Sequence, residues 1–143
     1  MRDAARMPIL AGAVLFLLGL IEGGLVQTFV NPRMALSAHL TAVQSCMALM
    51  IFGVVWRWTD LSAFWSRVSQ WGVVAGMYLL WAGLTLSAAT GAGGCLPIAG
   101  AGYTAGPVAQ TSVFALVLGG SVAMTVGWAL FVVGLARHRG ASH

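Results

Sequence analysis

Two ionisable side chains stand inside long apolar runs of this sequence. Burying a charge in hydrocarbon is costly enough to make each a candidate for function. Glu22 occurs in Ile21-Glu22-Gly23-Gly24 and His39 in Leu36-Ser37-Ala38-His39-Leu40. A membrane carboxyl can move a proton, but its plainer role is as protonated, hydrogen-bonded glue between helices that glycines allow to approach. The imidazole can rest neutral against a backbone carbonyl or against Glu22. As a metal ligand it is too few for zinc, which takes three or four protein donors, yet enough for haem iron, whose porphyrin supplies the remaining plane. Ala35, Ala38 and Ala42 clear space near His39, and Cys46 and Met50 continue roughly the same helical stripe as packing residues.

Weaker polar candidates follow in the same and a later apolar run. Gln44 and Ser45 bring hydrogen-bonding capacity, and Tyr78 and Trp81 form an amphipathic ring pair at i, i+3 spacing. Each taken alone reads as interhelical glue or aromatic packing. Cys46 and Cys95 belong to no CxxC pair or metal-finger spacing, so both read as small apolar residues or free thiols.

The elements that must position these groups are membrane helices. The chain has 143 residues, of which 59% are hydrophobic and 7% charged. Its mean hydropathy of +0.91 lies far from that of water-soluble domains. Apolar stretches at 8–30, 35–56, 68–90 and 111–135 are each long enough to cross a bilayer core of about 30 Å. Lipid offers backbone amides no partner, so the spans must be helical, and the fold class is an all-α integral membrane bundle of four antiparallel helices in one domain over 1–143. Pro8 suits a first-turn position at the start of the first span. That span is too long for a cleaved signal peptide and lacks a small-x-small cleavage site. The stretch Arg57 to Trp65 mixes charge with tryptophan, as a headgroup-level anchor does.

Arginine supplies all the positive charge, with no lysine in the chain. Arg2, Arg6, Arg57, Arg67, Arg137 and Arg139 fall in the N-terminal tail, the second connection and the C-terminal tail; the first connection has only Arg33 and the third has none. This is a topology signal and not a nucleic-acid footprint: both termini are expected in the cytoplasm, with the chain in a bacterial inner membrane. Glu22, two thirds along the first span, and His39, one turn into the second, then share a depth near the opposite face. The loop Gly91 to Tyr103 is too glycine-rich for a helix and is expected to cap the region between them. Topology alone thus places a pocket in the outer third of the bundle, without naming a reaction.

The string Asn31-Pro32-Arg33 with Leu36-Ser37-Ala38-His39-Leu40, followed by Gly91-Ala92-Gly93-Gly94 and Pro97-Ile98-Ala99-Gly100, resembles the hydroxylaminobenzene mutase family and the related styrene oxide isomerases. The resemblance extends over nearly the whole chain in length, span count and loop placement. It implies an intramolecular isomerase acting on a small aromatic substrate without net redox. The reaction is arylhydroxylamine to aminophenol in the mutases and aryl epoxide to aldehyde in the epoxide isomerases. It further implies a homotrimer holding haem b, with His39 at the position of the axial ligand and ferric iron as a Lewis acid on the substrate oxygen. In that frame Tyr78 and Ser45 orient the substrate oxygen, Gln44 is a reserve and Arg33 meets a haem propionate; Glu22 is a further catalytic candidate, with Tyr78 an acid catalyst if no haem is bound. The chain departs from the family pattern after the histidine, where Thr41 to Cys46 replace a Glu-Gly stretch that ends in Asn-Gly. It departs again where Leu80-Trp81 stands for Asn-Trp. Ser45 replaces a substrate-orienting asparagine, which bears directly on the substrate.

Two other readings differ in class. A non-enzymatic transporter or assembly subunit would use Glu22 and His39 as glue alone. A haem protein for electron transfer or gas sensing would need a second axial ligand such as Met47 or Met50, since His138 and His143 lie in the tail.

Overall fold

The computed structural model describes residues 2–138, with side chains described from Ala5 onward. The described residues form four helices in the order α1 (Arg2–Leu25), α2 (Pro32–Val55), α3 (Ala63–Thr90) and α4 (Pro107–Arg137). Short 3-10 turns at Val26–Thr28 and Trp56–Trp58 extend α1 and α2, and no strand occurs among the described residues. All four helices are long and apolar enough to cross a membrane, as the composition requires.

Helix boundaries differ from the apolar spans because the two measure different things. Hydropathy marks the hydrocarbon core, whereas a helix runs on while its backbone hydrogen bonds can form. Thus α1 begins at Arg2, which puts Pro8 inside the helix and not in its first turn. Likewise α3 starts at Ala63, so the second half of the expected Arg57–Arg67 connection is helical. At α4 the helix starts with Pro107 at its first position, where a missing N–H is harmless. The ends are chemically marked. Asn31 caps α2 by accepting from the Met34 amide at 3.1 Å. Gly91 closes α3 in the left-handed region at φ 78°, donating to Ser87 O at 2.8 Å.

Packing runs α1 on α2, α2 on α3 and α3 on α4. One buried cluster centres on Leu15, Cys46, Leu49, Phe52, Val73 and Met77. At the arginine-rich end it closes with rings from α2 and α4, where Phe52 and Phe131 lie 4.5 Å apart. A second cluster of Met34, Ala35, Ala38, Leu84 and Ala88 fills the other end, with Leu96 and Ala99 of the glycine-rich loop packed onto it. That loop therefore caps the α2–α3 seam, and its anchors are the residues of the Asn-Pro-Arg turn. Asn31 Nδ2 donates to Ala99 O at 2.8 Å, and Arg33 donates to Ala101 O with its guanidinium 5.8 Å from the Tyr103 ring centroid. Gly93 and Gly100 cross so closely that a Cβ on Gly93 would sit 2.5 Å from Gly100 Cα.

Candidate active site

His39 lies on the α2 face that meets α1, where two glycines shape its surroundings. Its Nδ1 is 2.7 Å from Gly19 O. A carbonyl can only accept, so Nδ1 carries a proton, and in the neutral tautomer Nε2 keeps its lone pair. One turn on, a Cβ at Gly23 would fall 2.7 Å from Nδ1 and 2.8 Å from Cε1, so the imidazole occupies the space that glycine vacates. The ring is half-buried, between the buried Ala38 and the exposed Leu40. His39 is thus tied by a backbone carbonyl and not by Glu22.

Glu22, only 5% exposed, turns instead to α3. Trp81 Nε1 donates to its Oε2 at 2.7 Å and Thr85 Oγ1 donates to its Oε1 at 2.8 Å. Trp81 and Thr85 are one helical turn apart, and the carboxyl bridges them. Trp81 was expected as interhelical glue, but Thr85 and the shared partner were missed in the sequence; the available signal was their i, i+4 spacing at the depth of Glu22. Tyr78 joins the group through its ring, edge-on to Trp81 with centroids 6.4 Å apart, while its hydroxyl donates to Ala11 O at 2.8 Å. It also lines an apolar groove of about 630 Å³ between α1 and α3, with Leu10, Val14 and Trp71.

The remaining candidates do not gather at one point within the chain. Ser45 is buried on the stripe of α2 that carries Met34 and Ala38 toward α3. Gln44 is exposed on the outer face with Leu40, Met47 and Ile51. Arg33 is committed to the loop. The structure therefore brings together Glu22, Trp81, Thr85 and Tyr78, sets His39 one residue position away across Gly23, and leaves Gln44 and Arg33 apart.

A model of the styrene oxide isomerase family matches residues 4–136. The chain belongs to that family. Among curated relatives, hydroxylaminobenzene mutase HabA of Ectopseudomonas oleovorans is 34% identical over 128 residues, covering 89% of this chain and 95% of the relative. Hydroxylaminobenzene mutase HabB of the same organism is 38% identical over 133 residues, covering 92% and 80%. No solved structure matches significantly. Membership in the styrene oxide isomerase family makes the chain an isomerase-type membrane protein, and the transporter or assembly role is set aside.

In this styrene oxide isomerase family member His39 is the single imidazole of the described membrane helices. No group of three or more His, Cys, Asp and Glu side chains among the described residues could hold a bare ion. A single imidazole with Nδ1–H fixed on a carbonyl and Nε2 free is the arrangement that ligating histidines adopt.

Proposed function

We propose that the protein rearranges an arylhydroxylamine to an aminophenol within the bilayer, with haem b ligated by His39. The observation that carries this reading is the Nδ1–H bond to Gly19 O, which orients the ring and reserves Nε2. Ferric haem, when bound, supplies a Lewis acid for the negative charge that develops on the substrate oxygen.

The chain's own groups handle orientation and the proton. The conversion breaks an N–O bond, forms a C–O bond at the ring, and moves one proton from ring carbon to nitrogen, with no net redox. Glu22 is the group suited to carry that proton, because Trp81 and Thr85 fix both of its oxygens and each oxygen keeps a further lone pair. Tyr78 is the hydroxyl beside this group: its proton is on Ala11 O and its oxygen keeps a lone pair for a substrate O–H, whereas Ser45 toward α3 and Gln44 on the outer face do not gather there within one chain. Arg33, at the outer end of α2, offers its remaining donors to a propionate. The exposed amide of Gln44 amid apolar side chains favours self-association, consistent with a homotrimer. Arginines at the other end favour cytoplasmic termini in a bacterial inner membrane.

The names of the curated relatives favour the arylhydroxylamine. The family's name favours a second reading, opening of an aryl epoxide to an aldehyde at the same residues. One experiment tests both: the absorption spectrum of detergent-purified protein beside His39→Ala, followed by turnover of phenylhydroxylamine and styrene oxide. A Soret band lost in the variant, with activity falling by about 100-fold or more, is the expected outcome. Colourless wild-type protein after expression with added haem would overturn the cofactor and its role.

A further inference from the structure

At the end of the bundle away from the Asn-Pro-Arg turn, the α2–α3 connection and the first turns of α3 enclose a pocket of about 380 Å³. This falls within the range of roughly 300–1,000 Å³ typical of small-ligand sites. Arg57, Arg67, Gln70, Thr59 and Ser66 supply its polar lining, and no carboxylate takes part. The hydroxyls are already spent: Thr59 donates to Trp56 O at 2.7 Å and Ser66 to Leu61 O at 3.3 Å. The charged donors on offer are therefore the two guanidiniums. Arg57 is held with its guanidinium carbon 4.0 Å from the centroid of the Trp58 ring, which limits its freedom before anything binds.

The surrounding charge is mostly positive: Arg6 lies at this same end, and among the side chains described there Asp60 is the carboxylate. The N-terminus of α3 adds the positive end of its dipole, and Ser62 makes no side-chain cap on it. On the same connection and the first turns of α3, Trp58, Phe64, Trp65 and Trp71 are exposed, at 39%, 65%, 48% and 61%, Trp71 lining the neighbouring α1–α3 groove. Aromatic rings in such a belt sit at the level of lipid headgroups, which puts the pocket mouth where phosphodiesters are concentrated.

We propose that this pocket binds the phosphate of an anionic lipid headgroup, with Arg57 and Arg67 as its ligands. Free phosphate shares the same chemistry but lacks the glycerol and acyl chains that the exposed rings would cover, so the lipid is the occupant.

The test is thermal unfolding of the detergent-purified full chain with phosphatidylglycerol, phosphatidylcholine or inorganic phosphate added. The proteins compared are wild type, Arg57→Gln/Arg67→Gln and, as a control outside the pocket, Arg137→Gln. Phosphatidylglycerol should raise the wild-type and Arg137→Gln midpoints by on the order of 5 °C at saturation. The double variant should lose most of that rise, and the other two additives should give little. Where the double variant is poorly folded, the single Arg67→Gln, at an exposed residue, should weaken the lipid adduct seen by native mass spectrometry. An equal response to phosphatidylcholine, or an undiminished response in the arginine variants, overturns the site. Inorganic phosphate matching the lipid overturns the lipid as its occupant.

Discussion

The α1–α2 and α3–α4 seams are both built on glycine, but different things fill the space that glycine leaves. In the α3–α4 seam it is mainly backbone: a Cβ at Gly76 would lie 2.6 Å from Met124 N and 2.7 Å from Gly120 O, and one at Gly127 would lie 2.6 Å from Val73 N, while Gly83 admits the Val117 side chain. Ser69 Oγ closes that seam with a buried bond to Gly127 O at 2.8 Å. In the α1–α2 seam, Gly12 admits the Cys46 carbonyl and Gly19 the Ala42 methyl, but Gly23 admits an imidazole. One seam uses close approach to exclude everything; the other uses it to hold a ring with a free nitrogen. A glycine stripe by itself therefore does not say what it accommodates; the residue seated opposite does.

Substitutions that fill each seam should separate the two roles. Gly76→Leu forces a side chain against backbone that cannot yield, and about 3 kcal/mol of stability should be lost, read as a lower thermal midpoint with the Soret maximum of the folded fraction unmoved. Unchanged stability would mean that the α3–α4 contact is looser than described. Gly23→Ala should displace the imidazole and strain its bond to Gly19. The expected effect is haem affinity falling about 10-fold in titrations with only a small change in unfolding midpoint. A purely structural His39 would give the reverse pattern. Ser69→Ala, the mildest of the three, removes one interhelical hydrogen bond worth about 0.6 kcal/mol, and it should leave haem binding untouched.

Which parts of this were legible in the sequence follows from the same physics. The four helices were, because hydrocarbon leaves an apolar run of that length no other way to satisfy its amides. Their ends were not: Arg2 to Met7 and Ala63 to Arg67 are helical at headgroup depth, where charge neither favours nor breaks a helix. Glu22 and His39 were visible as costly residues at a shared depth, yet their partners depend on helix rotation. Adjacent positions on a helix point about 100° apart, so Gly23 meets α2 while Glu22 meets α3. Nothing in composition sets that rotation; the glycines facing α2 do, and they can be sorted only once both helices are in place. The loop was expected over Glu22 and His39, but its anchors, Asn31 and Arg33, draw it across the α2–α3 seam instead.

Asn31 finally bears on how the protein is made. Its amide meets Ala99 O, 68 positions later, and its backbone N–H meets Ala88 O. During synthesis the first helical hairpin enters the membrane long before either acceptor exists, so water must satisfy this turn while the ribosome completes the third helix and the loop. Drying of that one turn then coincides with docking of the second hairpin on the first, which makes Asn31 a marker for completed insertion.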